Sequence, residues 1–225
     1  MEASPTLRVC STEDGSQTLL TSQWDETYHS IHGAIQESRH VFLNAGLDAL
    51  KLTAYEVLEI GFGTGLNAFL AWEYAREQDK MVRYTSIERF PVPYEMVSTL
   101  NYSHKLPSMN RSDWERLHRV PWGEWLELEP NRMQLQKMET DATQSQYPEN
   151  QYDAIFFDAF SPQKQPELWT RELLQKMFAT LRPGGVLVTY CAMGAVRRNL
   201  QACGFRTERL PGPPGKREML RASKP

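Results

Sequence analysis

From residue 55 onward the apolar positions follow two alternating rhythms. Short apolar runs at 55–60, 82–88, 152–158 and 186–190 have the length and composition of buried strands. At 133–138, Met133, Leu135 and Lys137 alternate with Gln134, Gln136 and Met138, the period of a strand. Between these runs the spacing turns helical, with Leu66, Phe69, Leu70 and Tyr74 on one face of a helix over 64–78. Pro91 and Pro93 open a short helix to residue 100, and further helices are predicted over 167–181 and 195–203, the last closed by Gly204. Arg182-Pro183-Gly184-Gly185 reads as a turn, and 205–209 with 218–222 as a terminal hairpin. Five βα units closed by a hairpin predict an α/β fold: a Rossmann-like, mostly parallel seven-stranded sheet with a C-terminal antiparallel hairpin.

Two segments fall outside this rhythm. Residues 1–50 read as an N-terminal extension packed on the domain of residues 51–225, with a helix-like stretch at 34–50. Residues 101–130, with Trp114, Trp122 and Trp125, are the least regular part and read as an insertion or helical hairpin.

Composition narrows the class without naming a function. The 225 residues suit one domain, and 40% hydrophobic with 24% charged residues is ordinary for a soluble globular chain. No apolar run approaches the ~18 residues of a membrane span, and residues 1–15 lack the core of a signal peptide. Cys10, Cys191 and Cys203 form no pairing or metal spacing, and His29, His32 and His40 match no ligand set, so neither a metal nor a disulfide framework is expected. A reducing, cytoplasmic setting fits these cysteines. The net charge of −3 hides an asymmetry: residues 1–170 hold 14 Lys+Arg against 25 Asp+Glu, residues 171–225 hold 11 against 3. Such segregation serves either a basic face for a polyanion or ordinary surface decoration, and charge alone does not choose.

The chemistry concentrates at Glu59-Ile60-Gly61-Phe62-Gly63-Thr64-Gly65, between a strand and a helix. A dinucleotide fingerprint spaces its glycines GxGxxG and cradles a pyrophosphate. Here the third glycine comes one residue early and an acid ends the strand. That suits S-adenosylmethionine (SAM), which has no phosphate and presents an amino-acid head, a sulfonium and an adenosine. The expected class is therefore a class I SAM-dependent methyltransferase. Glu88, about 20 residues on, is placed to accept ribose hydroxyls, although it would serve NAD equally. Asp141 with Ala142 follows the third strand, where an Asp either accepts the adenine amino group or closes an Asx turn. Asp158 ends the fourth strand, at the sheet edge where open α/β folds bind ligands, and a carboxylate there can orient an attacking amine. Trp24, Tyr28, Trp169 and Tyr190 are candidates for stacking on a base, and Arg197, Arg198, Lys216 and Arg217 for phosphate contacts.

Longer segments carry a family resemblance. EIGFGTGLNAFLAW (59–72), DAFSPQKQPELW (158–169), LRPGGVLVTYCAMGAVRRNL (181–200) and PPGKREML (213–220), with DETYHS (25–30) and QESRHVFL (36–43), resemble the tRNA 5-methylaminomethyl-2-thiouridine methyltransferases. That family comprises the MnmD-type enzymes and the methyltransferase half of bifunctional MnmC proteins. The resemblance spans about residues 14–222 and is weakest over 101–130. It implies methylation by SAM of the exocyclic amine of 5-aminomethyl-2-thiouridine at the tRNA wobble position, in the anticodon region. It further implies that Glu59, Gly61, Gly63, Gly65 and Asn67 hold the methionine part, Glu88 the ribose, and Asp141 with Ala142 the adenine. Asp158 would orient the amine, Phe160 to Pro162 would wall the substrate pocket, and Tyr28, Lys216 and Arg217 would face the RNA. The bifunctional relatives carry a flavin-dependent oxidase. No second domain follows here, so the resemblance is to the standalone form, with no FAD and with a separate oxidase or pathway supplying the aminomethyl substrate.

Three other readings compete: methylation of a small amine, a non-catalytic methyltransferase-like binding partner, and a nicotinamide oxidoreductase. The glycine spacing disfavours the last, and the intact Gly61-x-Gly63-x-Gly65, Glu88 and Asp158 disfavour a decayed site.

Overall fold

The computed structural model describes residues 6–225. Its first strands, β1 (Leu7–Ser11), β2 (Gln17–Thr21) and β3 (Glu26–Thr27), form a small antiparallel sheet that sequence reading did not anticipate. They are short, and β1 has no fully buried residue, so the alternation that marks a strand is faint. The helical stretch predicted over 34–50 is present as α1 (Ala34–Ser38), a π-wound segment Arg39–Leu47 and α2 (Asp48–Leu50). Val41, Phe42 and Leu43 of this stretch are buried, and the ring of Phe42 lies 5.1 Å from that of Phe156.

The main sheet is built from β4 (Ala54–Ile60), β5 (Met81–Glu88), β6 (Trp125–Glu129), β7 (Met133–Glu139), β8 (Tyr152–Phe157), β9 (Leu181–Thr189), β10 (Arg206–Pro211) and β11 (Glu218–Ser223). Their spatial order is β10-β11-β9-β8-β4-β5-β7-β6. The β7, β5, β4, β8 and β9 strands run parallel, and β11 and β10 close one edge as the antiparallel hairpin. This is the Rossmann-like methyltransferase sheet, with eight strands rather than seven. The additional strand, β6, pairs antiparallel on the outer edge of β7. Trp125 and Leu126 at its start are exposed and only Leu128 is buried, so no in-and-out alternation announced it.

Helix α3 (Leu66–Glu77) follows β4, with Leu66, Phe69 and Leu70 fully buried. Residues 91–120 fold into α4 (Tyr94–Val97), α5 (Tyr102–Lys105) and α6 (Arg111–Arg119), the last held by an Asn110–Asp113 capping box. The helix predicted from 167 divides into a 3₁₀ turn, Pro166–Trp169, and α7 (Arg171–Thr180), whose first turn is capped by the Thr170 hydroxyl. The Arg182–Gly185 turn is instead part of β9, where its Pro and Gly residues coincide with a register shift against β8. Finally α8 (Gly194–Ala202) leads into the hairpin. No helix among the described residues is long and apolar enough to cross a membrane.

Candidate active site

The carboxyl ends of β4, β5, β7, β8 and β9 meet the N-terminal sheet and the β10–β11 loop around one cavity of about 1270 Å³. In a mostly parallel sheet this edge is where loops diverge and leave room for a ligand.

The loop after β4 forms its floor. Gly61 has φ +94° and Gly63 φ +51°. A Cβ on Gly61 would lie 2.7 Å from the carbonyl oxygen of Asp158, and one on Gly63 would lie 2.9 Å from the Tyr28 ring. Both positions therefore need glycine for space as well as for conformation. The loop is tied to β5: Gly61 N–H donates to the Ile87 carbonyl at 2.9 Å and Gly63 N–H to a Glu88 carboxylate oxygen at 3.0 Å. The other Glu88 oxygen accepts the Phe90 N–H at 2.8 Å. Burial holds the Glu88 carboxyl above its ordinary pKa, against these backbone donors.

Beneath the loop lies a buried polar chain. The Asn67 side-chain nitrogen, at the start of α3, donates to Glu59 at 3.0 Å and to Asp158 at 2.8 Å. The Ser86 hydroxyl donates to the other Glu59 oxygen at 2.6 Å. Burial pushes Glu59 up to about 8, with the Asp158 charge adding and Ser86 and Asn67 opposing. Asp158 is pushed up to about 7, first by burial and then by the Glu37 carboxylate, while Asn67 and Lys216 oppose. The Asn67 side-chain oxygen is buried without a partner.

Gly61, Gly63, Glu88, Asp141, Ala142, Asp158, Tyr28, Phe160 and Lys216 line the cavity. Glu59, Gly65, Asn67, Pro162 and Arg217 do not. Glu59 and Asn67 lie one layer below the floor, and Gly65 sits against Phe62 and His118. The Arg217 side chain is 90% exposed, beside Glu218. Asp141 closes the Asx turn, accepting the Thr143 N–H at 2.8 Å, and its other oxygen pairs with Arg89 at 3.1 Å. Burial alone would raise its pKa, but the Thr143 donors and Arg89 hold it below the ordinary value. Trp24 and Tyr28 pack on Phe160, with ring centres 4.5 and 5.1 Å away, and form an aromatic wall. Trp169 is buried and anchors that wall from behind, donating to the Phe160 carbonyl at 2.8 Å. Cys191 is buried in the core, where burial pushes its thiol up, away from nucleophilic character.

Sequence reading missed Glu37, Arg89 and Gln165, which also line the cavity. Glu37 pairs with Lys216 across 179 positions, a separation that leaves no local signal. Part of the C-terminal basic charge is paired inside the chain: Arg182 with Asp153 and Lys216 with Glu37 outside the segment, and Arg209, Arg217 and Arg221 with Glu218 and Glu208 within it. Among the described residues, no group of three or more His, Cys, Asp or Glu side chains is placed to hold a metal ion.

The donor set suits SAM. Carboxylates at Glu88, Asp141 and Asp158 line a cavity large enough for a nucleoside, and the glycine floor admits close approach of a ligand to the backbone. The fold and this site define a SAM-dependent methyltransferase. Comparison with known sequences agrees: the family described as S-adenosyl-L-methionine-dependent methyltransferase matches residues 112–225, and the chain belongs to it. It is related to curated proteins called tRNA 5-methylaminomethyl-2-thiouridine biosynthesis bifunctional protein MnmC. That of Pseudomonas fluorescens is 32% identical over 88% of this chain and 32% of its own length. That of Aromatoleum aromaticum is 34% identical over 95% of this chain and 35% of its own. The chain thus spans about a third of the length of these relatives. The crystal structure of MNMC2 from Aquifex aeolicus superposes with a TM-score of 0.77 at 28% identity, covering 100% of this chain and 73% of that one. The [4+2]-cyclase SpnF, 16% identical with a TM-score of 0.52 over 90% of this chain and 86% of its own, shares the fold alone.

Proposed function

We propose that this chain transfers a methyl group from SAM to the exocyclic amine of 5-aminomethyl-2-thiouridine at the tRNA wobble position, giving 5-methylaminomethyl-2-thiouridine. The observation that carries the reading is Asp158, whose carboxylate, raised to about 7, faces a cavity shared by the glycine floor, Glu88 and an aromatic wall. The names of the related proteins support the choice of nucleoside.

Bound SAM supplies a methyl group already activated on a sulfonium. Gly61 and Gly63 would let its amino-acid part approach the backbone, Glu88 would accept the ribose hydroxyls, and Ala142 would flank the adenine with Asp141. Asp158 holds the amine so that its lone pair points at the methyl carbon, and positioning of this kind supplies much of the rate. As the N–C bond forms, the C–S bond breaks and its electron pair returns to sulfur. The amine reaches this point by giving one proton of its ammonium to Asp158, which is poised near neutrality to accept it, and the product leaves as a secondary ammonium. Trp24, Tyr28 and Phe160 exclude water from the amine and offer ring faces to the extruded base. The reaction takes place in the cytoplasm, on tRNA that already carries the aminomethyl group.

The test is methyl transfer from radiolabelled SAM to bulk tRNA from a strain lacking the modification, followed by nucleoside analysis. Label in 5-methylaminomethyl-2-thiouridine is the expected result. No label in any nucleoside, with SAM binding intact, would overturn the tRNA reading and favour a small amine.

A further inference from the structure

Lys216 reaches from the loop between β10 and β11 into the cavity and ends in a site built for an alkylammonium. Its Nζ lies 4.0 Å from the centre of the Tyr190 ring and is ion-paired with Glu37. An aromatic face combined with a buried carboxylate is the chemistry that selects a cationic amine. The two halves of this arrangement differ in how firmly they are held. The Glu37 side chain is 7% exposed, and its second oxygen accepts the Ser30 N–H at 2.7 Å. Tyr190 donates its hydroxyl to the Ala159 carbonyl at 2.8 Å, one residue beyond Asp158. Glu37 and Tyr190 are therefore fixed. The Lys216 side chain is 33% exposed, on a flexible four-carbon stem springing from a loop. It can swing into water at small cost once another cation takes its place, since the buried Glu37 carboxylate is costly to leave unpaired.

We propose that Glu37 and Tyr190 form the ammonium-binding half of the substrate pocket, and that Lys216 occupies it until the substrate's aminomethyl group takes its place. This inference rests on the amine-methyltransferase reading above. It assigns recognition of the ammonium to Glu37 and Tyr190; that ammonium then gives a proton to Asp158, which lines the same cavity and orients the neutral amine for transfer. The lysine ammonium and the substrate ammonium are the same chemical group, so the exchange swaps one ion pair for another. An uncharged group at the same position on the base could not displace Lys216.

The experiment uses an anticodon stem-loop carrying 5-aminomethyl-2-thiouridine as substrate, and the same stem-loop with 2-thiouridine as competitive inhibitor. Glu37→Gln keeps an acceptor for Ser30 and should raise KM for the amine substrate by about tenfold or more, since a charge-assisted bond is lost. Its SAM affinity and its Ki for the amine-free stem-loop should match wild type. Lys216→Met should lower KM, because the competitor inside the chain is gone. The proposal is overturned if Glu37→Gln leaves KM unchanged or shifts Ki equally, or if Lys216→Met leaves KM unchanged or raises it. These outcomes require wild-type turnover. If the wild-type protein methylates no amine-bearing stem-loop, the functional reading itself fails and the inference falls with it.

Discussion

The carbonyl oxygen of Asp158 occupies the space that a side chain on Gly61 would need, 2.7 Å from where its Cβ would sit. The cofactor loop and the strand end bearing the candidate catalytic acid are thus packed backbone to backbone. Gly61→Ala should strain a φ of +94° and force the two apart, costing ~1–3 kcal/mol of stability. Thermal unfolding and SAM titration check this, and a variant binding SAM as wild type does would show that the loop tolerates separation.

Asp158→Asn should leave SAM affinity within a few fold while lowering kcat by about 100-fold or more, the usual contribution of a positioned acid–base group. Single-turnover methyl transfer at saturating SAM reads the chemical step directly. Wild-type kinetics in this variant would remove Asp158 from the reaction.

Stability should respond to pH through the same buried acids. Glu59 rises from 4.5 to about 8 and Asp158 from 3.8 to about 7, so the folded state holds protons that the unfolded chain has released. Their contribution is complete below about pH 4 and is lost as pH climbs toward 8, each group contributing at most about 1.4 kcal/mol per pH unit. Glu59→Gln should flatten the upper part of that decline in urea unfolding between pH 5 and 8. The new amide can keep its oxygen toward the Asn67 nitrogen and donate its own N–H to the Ser86 hydroxyl, which can also accept.

Lys137 predicts the opposite slope. It is buried in β7, donates to the His118 carbonyl at 2.8 Å, and lies over the Phe62 and Trp122 rings. Burial pulls its pKa from 10.5 to about 8, so between those values the unfolded chain binds more protons and wild-type stability gains as pH rises. Subtracting the unfolding free energies of Lys137→Met from those of wild type should expose a difference that grows from pH 8 to 10. A flat difference would mean the lysine stays charged.

Arg217, extended into solvent beside Glu218, tests the RNA side. Arg217→Ala should weaken tRNA binding and reduce the slope of log affinity against log salt by about 0.7–0.9, with SAM affinity unchanged. An unaltered slope would place the RNA elsewhere.

The α/β class, the parallel strands, the glycine loop and the acids at strand ends were legible in the chain. Each depends on local geometry: a period of two or 3.6, or a turn that only glycine can make. The edge strand β6 and the N-terminal sheet were not, because strands with few buried residues lack the alternation by which strands are read. The site divides along the same line. Gly61, Gly63, Glu88 and Asp158 could be placed at strand ends by counting, and they line the cavity. That Glu59 and Asn67 lie beneath its floor, and that adjacent Lys216 and Arg217 point to different surroundings, could not be read from their neighbours in the chain. The meeting of Glu37 with Lys216 depends on the N-terminal helix and the C-terminal hairpin packing over one sheet edge. Pairing across so long a loop is decided by the burial of both partners' elements, for which local sequence carries no code.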